Sequence, residues 1–131
     1  MFKTIFINLF ILIILSLGVF ANDYSPQEVY ENYLFAIKNE NISEIFKYLD
    51  PNLSITQEEL KSALPRIISV IPSNITYGKE IIVDNLALLY PEGDYYNPKT
   101  KNEETCRGVI KLKQIQNGWR VKNNYWKCSI L

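Results

Sequence analysis

Residues 106–128 read C-R-G-V-I-K-L-K-Q-I-Q-N-G-W-R-V-K-N-N-Y-W-K-C. Two apolar-rich runs flank Asn117-Gly118, and Asn-Gly marks a hairpin because both residues tolerate positive φ. A two-residue loop there pairs Gln116 with Trp119, Gln114 with Val121, Leu112 with Asn123 and Ile110 with Tyr125. Ile110, Leu112, Trp119, Val121 and Tyr125 then share one face, and Lys111, Lys113, Arg120, Lys122 and Asn124 the other. Such alternation belongs to an antiparallel pair with one side on a core and one side wet.

Cys106 and Cys128 are the only cysteines, at the open end of this hairpin. In the two-residue register Cys106 faces Ser129 and Cys128 faces Arg107, so the thiols point apart. A three-residue loop with Gly118 as its bulge sets Cys106 opposite Cys128, but it blurs the amphipathic face. A tight loop followed by a later bulge, around Asn123-Asn124, satisfies both patterns and staples the strands as a disulfide. The rival reading is two separate buried thiols. Two cysteines without histidine or C-x-x-C leave too few soft ligands for a metal site.

The chain's start differs from everything after it. Met1 to Ala21 carries Lys3 as its sole charge, an apolar run from Ile5 to Leu17, and Val19-Phe20-Ala21 before polar Asn22-Asp23. A basic start, an apolar centre and a small-x-small site describe an export signal, cleaved after Ala21. An uncleaved anchor is the alternative, at the short limit for crossing a bilayer. The remainder, 22–131, is one domain's worth of chain. It is exported, periplasmic or secreted, where paired cysteines can oxidise. With 14 basic and 14 acidic residues overall, the chain lacks the basic excess of a nucleic-acid binder.

Helical signals fill the first half of that domain. Ser25-Pro26-Gln27-Glu28 is a capping box with proline at the first helical position. Val29, Tyr30, Tyr33, Leu34 and Ile37 follow as a buried stripe. Asn41 caps a second, short helix with Ile42, Ile45, Phe46 and Leu49 inward, ended by Asp50-Pro51. Thr56 caps a third, with Leu60, Ala63, Leu64, Ile67, Ile68 and Ile71 on its stripe. Pro65 lies off that stripe and predicts a kink or two short helices. From Ile75 to Val83 the period becomes strand-like, and Leu86 to Tyr90 makes a second strand after an Asp84-Asn85 turn. A polar loop is expected from Pro91 to Glu104. The order is three helices and then about four antiparallel strands. This is an α+β fold with N-terminal helices on one face of a curved sheet.

The run S-P-Q-E-V-Y-E-N-Y-L-F-A-I-K-N-E-N-I-S-E-I-F-K-Y-L-D-P (residues 25–51) resembles the opening of small exported bacterial domains of the nuclear transport factor 2-like superfamily. I-K-L-K-Q-I-Q-N-G-W-R-V (residues 110–121) is similar to their last hairpin. The resemblance implies a cone, a curved sheet wrapped on a long first helix with a pocket at the open end. It also implies enzymes, binding modules and dimerisation domains alike, so it leaves function to the site.

Enzymes of that superfamily usually use an Asp or His base with Tyr or Asp donors. The chain has no histidine, which removes His-based acid–base chemistry and nucleophile triads. Asp50 and Asp84 read as helix-end and turn residues, and Asp23 and Asp94 fall in polar segments. No phosphate loop or nucleophile elbow occurs, and nothing calls for a cofactor. The expectation is a non-catalytic binding module, holding either a small apolar ligand or a protein partner. Its nine tyrosines offer rigid contact area with a polar tip. Tyr33, Tyr77, Tyr90 and Trp119 are the expected ligand lining, and Tyr95 and Tyr96 the expected partner contacts. A sheet-to-sheet homodimer is an alternative, and an Asp/Tyr isomerase-like enzyme a further one. The basic stripe Lys111, Lys113, Arg120 and Lys122 reads as a solvated face. Sequons at Asn41, Asn52 and Asn74 follow from an asparagine-rich composition.

Overall fold

A computed structural model describes residues 24–116 and 118–130. The expected export signal, Met1–Ala21, lies outside these residues, as do Asp23 and Asn117. Among the described residues no helix is long and apolar enough to cross a membrane.

Three helices come first: α1 (Pro26–Lys38), α2 (Ile42–Tyr48) and α3 (Gln57–Ser69). Each start matches its cap. Ser25 and Glu28 form the reciprocal capping box of α1. The Asn41 side chain accepts from the Glu44 amide at the start of α2, and Thr56 does the same for Glu59 in α3. Each such cap stabilises by roughly 1 kcal/mol. The stripe of α1 is buried as its spacing requires, with Tyr30 and Ile37 fully so. The expected break at Pro65 is absent, and α3 runs through it. Pro65 and Lys61 both lie on the exposed side, so the carbonyl freed by the missing N–H can turn to water.

The sheet follows as β1 (Ser73–Val83), β2 (Leu86–Asn97), β3 (Asn102–Ile115) and β4 (Gly118–Ile130), antiparallel throughout in the order β1-β2-β3-β4. The expected loop over residues 91–104 is mostly strand, because β2 continues through Pro91 to Asn97. A bulge in β1 makes this possible. Tyr77 pairs with Pro91 and Glu80 with Leu89, so one extra β1 residue stands beside the proline, where a missing ladder N–H is tolerated.

The last hairpin resolves the register. Ile115 pairs with Gly118 and Gln114 with Trp119, so the turn stays two residues long and sits one residue earlier than a loop at Asn117-Gly118. Gly118 takes φ of 108°, the positive value a side chain would resist. The bulge comes at Lys122, since Leu112 pairs with Val121 but Lys111 with Asn123. Cys106 therefore meets Cys128, and the two form a disulfide. Alternation reverses past the bulge. Tyr125, expected inside, is 62% exposed, while Asn124 and Trp126 turn inward.

The helices cover the concave face, with α1 packed on α2, β2 and β4. The core joins Val29, Tyr30, Tyr33, Leu34 and Ile37 of α1 to Ile45, Leu60 and Leu64, and to Leu89, Ile110, Leu112, Trp119 and Val121 of the sheet. Burial of these side chains is worth about 1.5–3 kcal/mol each and is the main force holding helices to sheet. The end of α2 is tied in by main chain as well, through a parallel bridge from Leu49 to Val121 and an Asp50 N–H donating to the Val121 carbonyl at 2.9 Å.

Candidate functional site

Two regions bring chemistry-bearing side chains together. The first is the concave side toward the disulfide end. The Tyr30 hydroxyl donates to Asn124 Oδ1 at 2.7 Å and accepts from Trp126 Nε1 at 3.0 Å. Tyr33 lies beside it, with ring centroids 5.9 Å apart, and Tyr77 meets it edge-on at 6.4 Å. Trp126 lies directly across the ladder from Gly108. A Cβ on Gly108 would stand 3.1 Å from the indole and 3.0 Å from Pro91, so the bare backbone is what lets the ring sit there.

Burial governs the electrostatics of this cluster. It pushes the Tyr30 hydroxyl far above the usual phenol range, against the opposing pull of the Trp126 hydrogen bond. Tyr33 is raised by burial, opposed by Asn124. Tyr77 is raised by burial first and by the negative charge of Glu31 second. All three are neutral phenols at physiological pH, able to donate a hydrogen bond and unable to serve as bases. Asp50 is the buried carboxylate among the described residues, and its Oδ1 accepts from the Asn52 amide at 3.0 Å in the turn after α2.

A groove of about 280 Å³ opens beside Tyr77, lined by Leu34, Phe35, Pro72 and Ile75 with Glu31 and Lys38 at its polar rim. A second, of about 370 Å³, runs between α1 and α2 past Tyr24, Phe35 and Tyr48. No group of three or more Asp, Glu or Cys side chains able to hold a metal occurs among the described residues.

The other region is the convex face. Strand alternation leaves Tyr90 exposed between buried Leu89 and Pro91. The register sets it level with Val109, which pairs with Tyr125. Tyr90, Val109 and Tyr125, at 38%, 42% and 62% exposed, form an apolar row across three strands. Next to it run Glu92, Arg107 and Lys127, with Arg107 Nε 3.3 Å from Glu92 Oε1.

The four residues expected to line a pocket are thus divided. Tyr33 and Trp119 belong to the buried core, Tyr77 lines the smaller groove, and Tyr90 stands on the opposite face of the sheet. Tyr95 is half-buried and Tyr96 exposed, both at the far end of β2 rather than in a loop. Sequence reasoning missed the Tyr30–Asn124–Trp126 network. The available signal was Gly108 inside a strand, which marks a close approach.

Comparison with solved structures identifies the architecture. It is similar to a Campylobacter jejuni protein bearing the name NTF2-like transpeptidase, with a TM-score of 0.51 and 12% identity over 76% of this chain and 99% of that one. It is also similar to a Thiobacillus denitrificans protein bearing the name calcium/calmodulin-dependent protein kinase type II association domain, with a TM-score of 0.51 and 9% identity over 82% of this chain and 95% of that one. At such identities the likeness is one of fold. No protein-family model and no curated protein matches the chain.

Proposed function

We propose that this nuclear transport factor 2-like fold serves as an exported, non-catalytic binding module that engages a protein partner through its convex sheet face. The observation that carries the reading is the exposed row Tyr90–Val109–Tyr125. Tyrosines with a charged border are the composition of a protein contact, apolar and aromatic at the centre and polar at the rim. The concave face, by contrast, is largely filled by its own side chains, from Tyr30 and Tyr33 to Trp126. Tyr96 lies on the same face further along β2, while the half-buried Tyr95 alternates to the other side and would contact a partner only at the strand's end. The fold neighbours carry names as different as transpeptidase and association domain, so the choice rests on surfaces. The Cys106–Cys128 disulfide supports an oxidising compartment, reached through cleavage after Ala21.

The simplest partner is a second copy, since a two-fold contact asks only that one patch complement itself. Native mass spectrometry of protein from the exported fraction tests this, with Tyr125→Lys alongside. The reading expects a defined complex that the substitution weakens tenfold or more, and an N-terminus at Asn22. A monomer carrying a few hundred extra daltons would instead support a small apolar ligand. The groove beside Tyr77 favours that second reading, being close to the ~300 Å³ lower bound of ligand pockets.

A further inference from the structure

We propose that the β1–β2 turn end of the convex face is a docking platform for an anionic membrane surface. Two rows cross all four strands there. One runs Val83–Leu86–Lys113–Arg120 and the other Ile81–Leu88–Lys111–Asn123. Leu86 and Leu88 alternate with buried Ala87 and Leu89, which places both rows on the side away from the core. Each row is aliphatic on β1 and β2; the first carries cations on both β3 and β4, Lys113 and Arg120, and the second carries Lys111 on β3. Lys122, the extra residue of the β4 bulge, adds an exposed cation alongside.

Charge placement points outward to a partner. Lys113 and Arg120 stand directly opposite each other, an arrangement that repels within a sheet. The ion pair among the described residues is Arg107–Glu92, so no carboxylate there lies within bonding range of Lys111, Lys113, Arg120 or Lys122. The Arg120 guanidinium donates to the neighbouring Trp119 carbonyl at 2.7 Å instead. The acids of this end, Glu80 and Asp84, lie on the edge strand and its turn, with Lys79 between them and the rest of β1. An anionic surface laid over β3 and β4 relieves the repulsion between the two cations.

The aliphatic half selects the kind of anion. Val83 is 62% and its partner Leu86 38% exposed at the tip of the hairpin. A soluble polyanion would use the cations and leave these side chains in water. A bilayer offers both parts at once, acidic headgroups for the cations and an acyl boundary for the tip. The platform adjoins the Tyr90–Val109–Tyr125 row without sharing residues with it.

The test is co-sedimentation of the exported, disulfide-bonded chain with vesicles of phosphatidylcholine alone and of phosphatidylcholine mixed with phosphatidylglycerol, at low and high salt. The platform requires binding to the acidic vesicles that falls as salt rises, and a loss of about fivefold for each cation removed in the K113E/R120E variant. V83S/L86S should weaken binding while keeping its salt dependence. Equal binding to neutral vesicles, or unchanged binding by K113E/R120E, overturns the proposal. Retention on heparin without vesicle binding also overturns it, assigning the cations to a soluble polyanion. Tyr125→Lys separates this surface from the protein contact. Vesicle binding that survives in that variant stands whatever its effect on the complex.

Discussion

Tyr30 shows how much one hydroxyl can organise. It sits in α1, yet its two hydrogen-bond partners are 94 and 96 residues away in β4. Removing the oxygen leaves the Trp126 N–H and the Asn124 carbonyl unpaired in a half-buried setting. Tyr30→Phe should therefore destabilise by about 1–3 kcal/mol, read as a lower urea midpoint with an unchanged slope. A midpoint equal to that of the parent chain would mean that water replaces the phenol at no loss. The burial of Tyr30 was legible, because helical spacing put it on the stripe with Val29, Tyr33 and Ile37. Its partners were not, because their orientation depends on a bulge that local pattern does not locate to a single residue. Tyr125 failed for the same reason, and one extra residue at position 122 carried it from the core face to solvent.

At the scale of elements, the last hairpin holds because three devices agree. Gly118 permits the tight turn, the bulge corrects the register, and the disulfide fixes the result. The closed loop spans a sequence separation of 22, for which restriction of the unfolded chain predicts about 3 kcal/mol. The paired substitution C106S/C128S should lose about 2–4 kcal/mol in chemical denaturation, and free-thiol titration of the denatured parent should find none. Two titratable thiols would remove the staple. The need for a tight loop and a later bulge was readable from the cysteines and the amphipathic face together. The long β2 was not, because proline ordinarily ends a strand and only the bulge in β1 makes room for Pro91.

For the whole molecule, fold class was legible because two periods divide the domain cleanly, 3.6 through Ile71 and 2 from Ile75, within two residues of the observed boundary. The surfaces proposed for binding were not. A row such as Tyr90–Val109–Tyr125 exists only once three registers are fixed, and each shift by one residue would scatter it. The filled concave side has a consequence for alkaline stability. Tyr30 and Tyr33 hold their protons more tightly folded than unfolded. Their contribution is complete below the ordinary phenol value of about 10 and is lost as pH rises beyond it, by about 1.4 kcal/mol per pH unit for each. Urea titrations should give constant stability from about pH 8 to about pH 9.5 and a steep fall above pH 10, shallower in Tyr30→Phe. A flat profile to pH 11 would contradict the burial of these phenols.

The bridge from Leu49 to Val121 bears on the order of events in time. The end of α2 finds its hydrogen-bond acceptor in the final strand, and α1 finds the partners of Tyr30 there too. A chain emerging from its amino end cannot close this structure piecemeal. Its helices wait, incompletely seated, until β4 arrives and aligns on β3. Long-range closure of this kind slows folding, and it leaves the helices exposed to solvent on their apolar stripes until the last strand is in place.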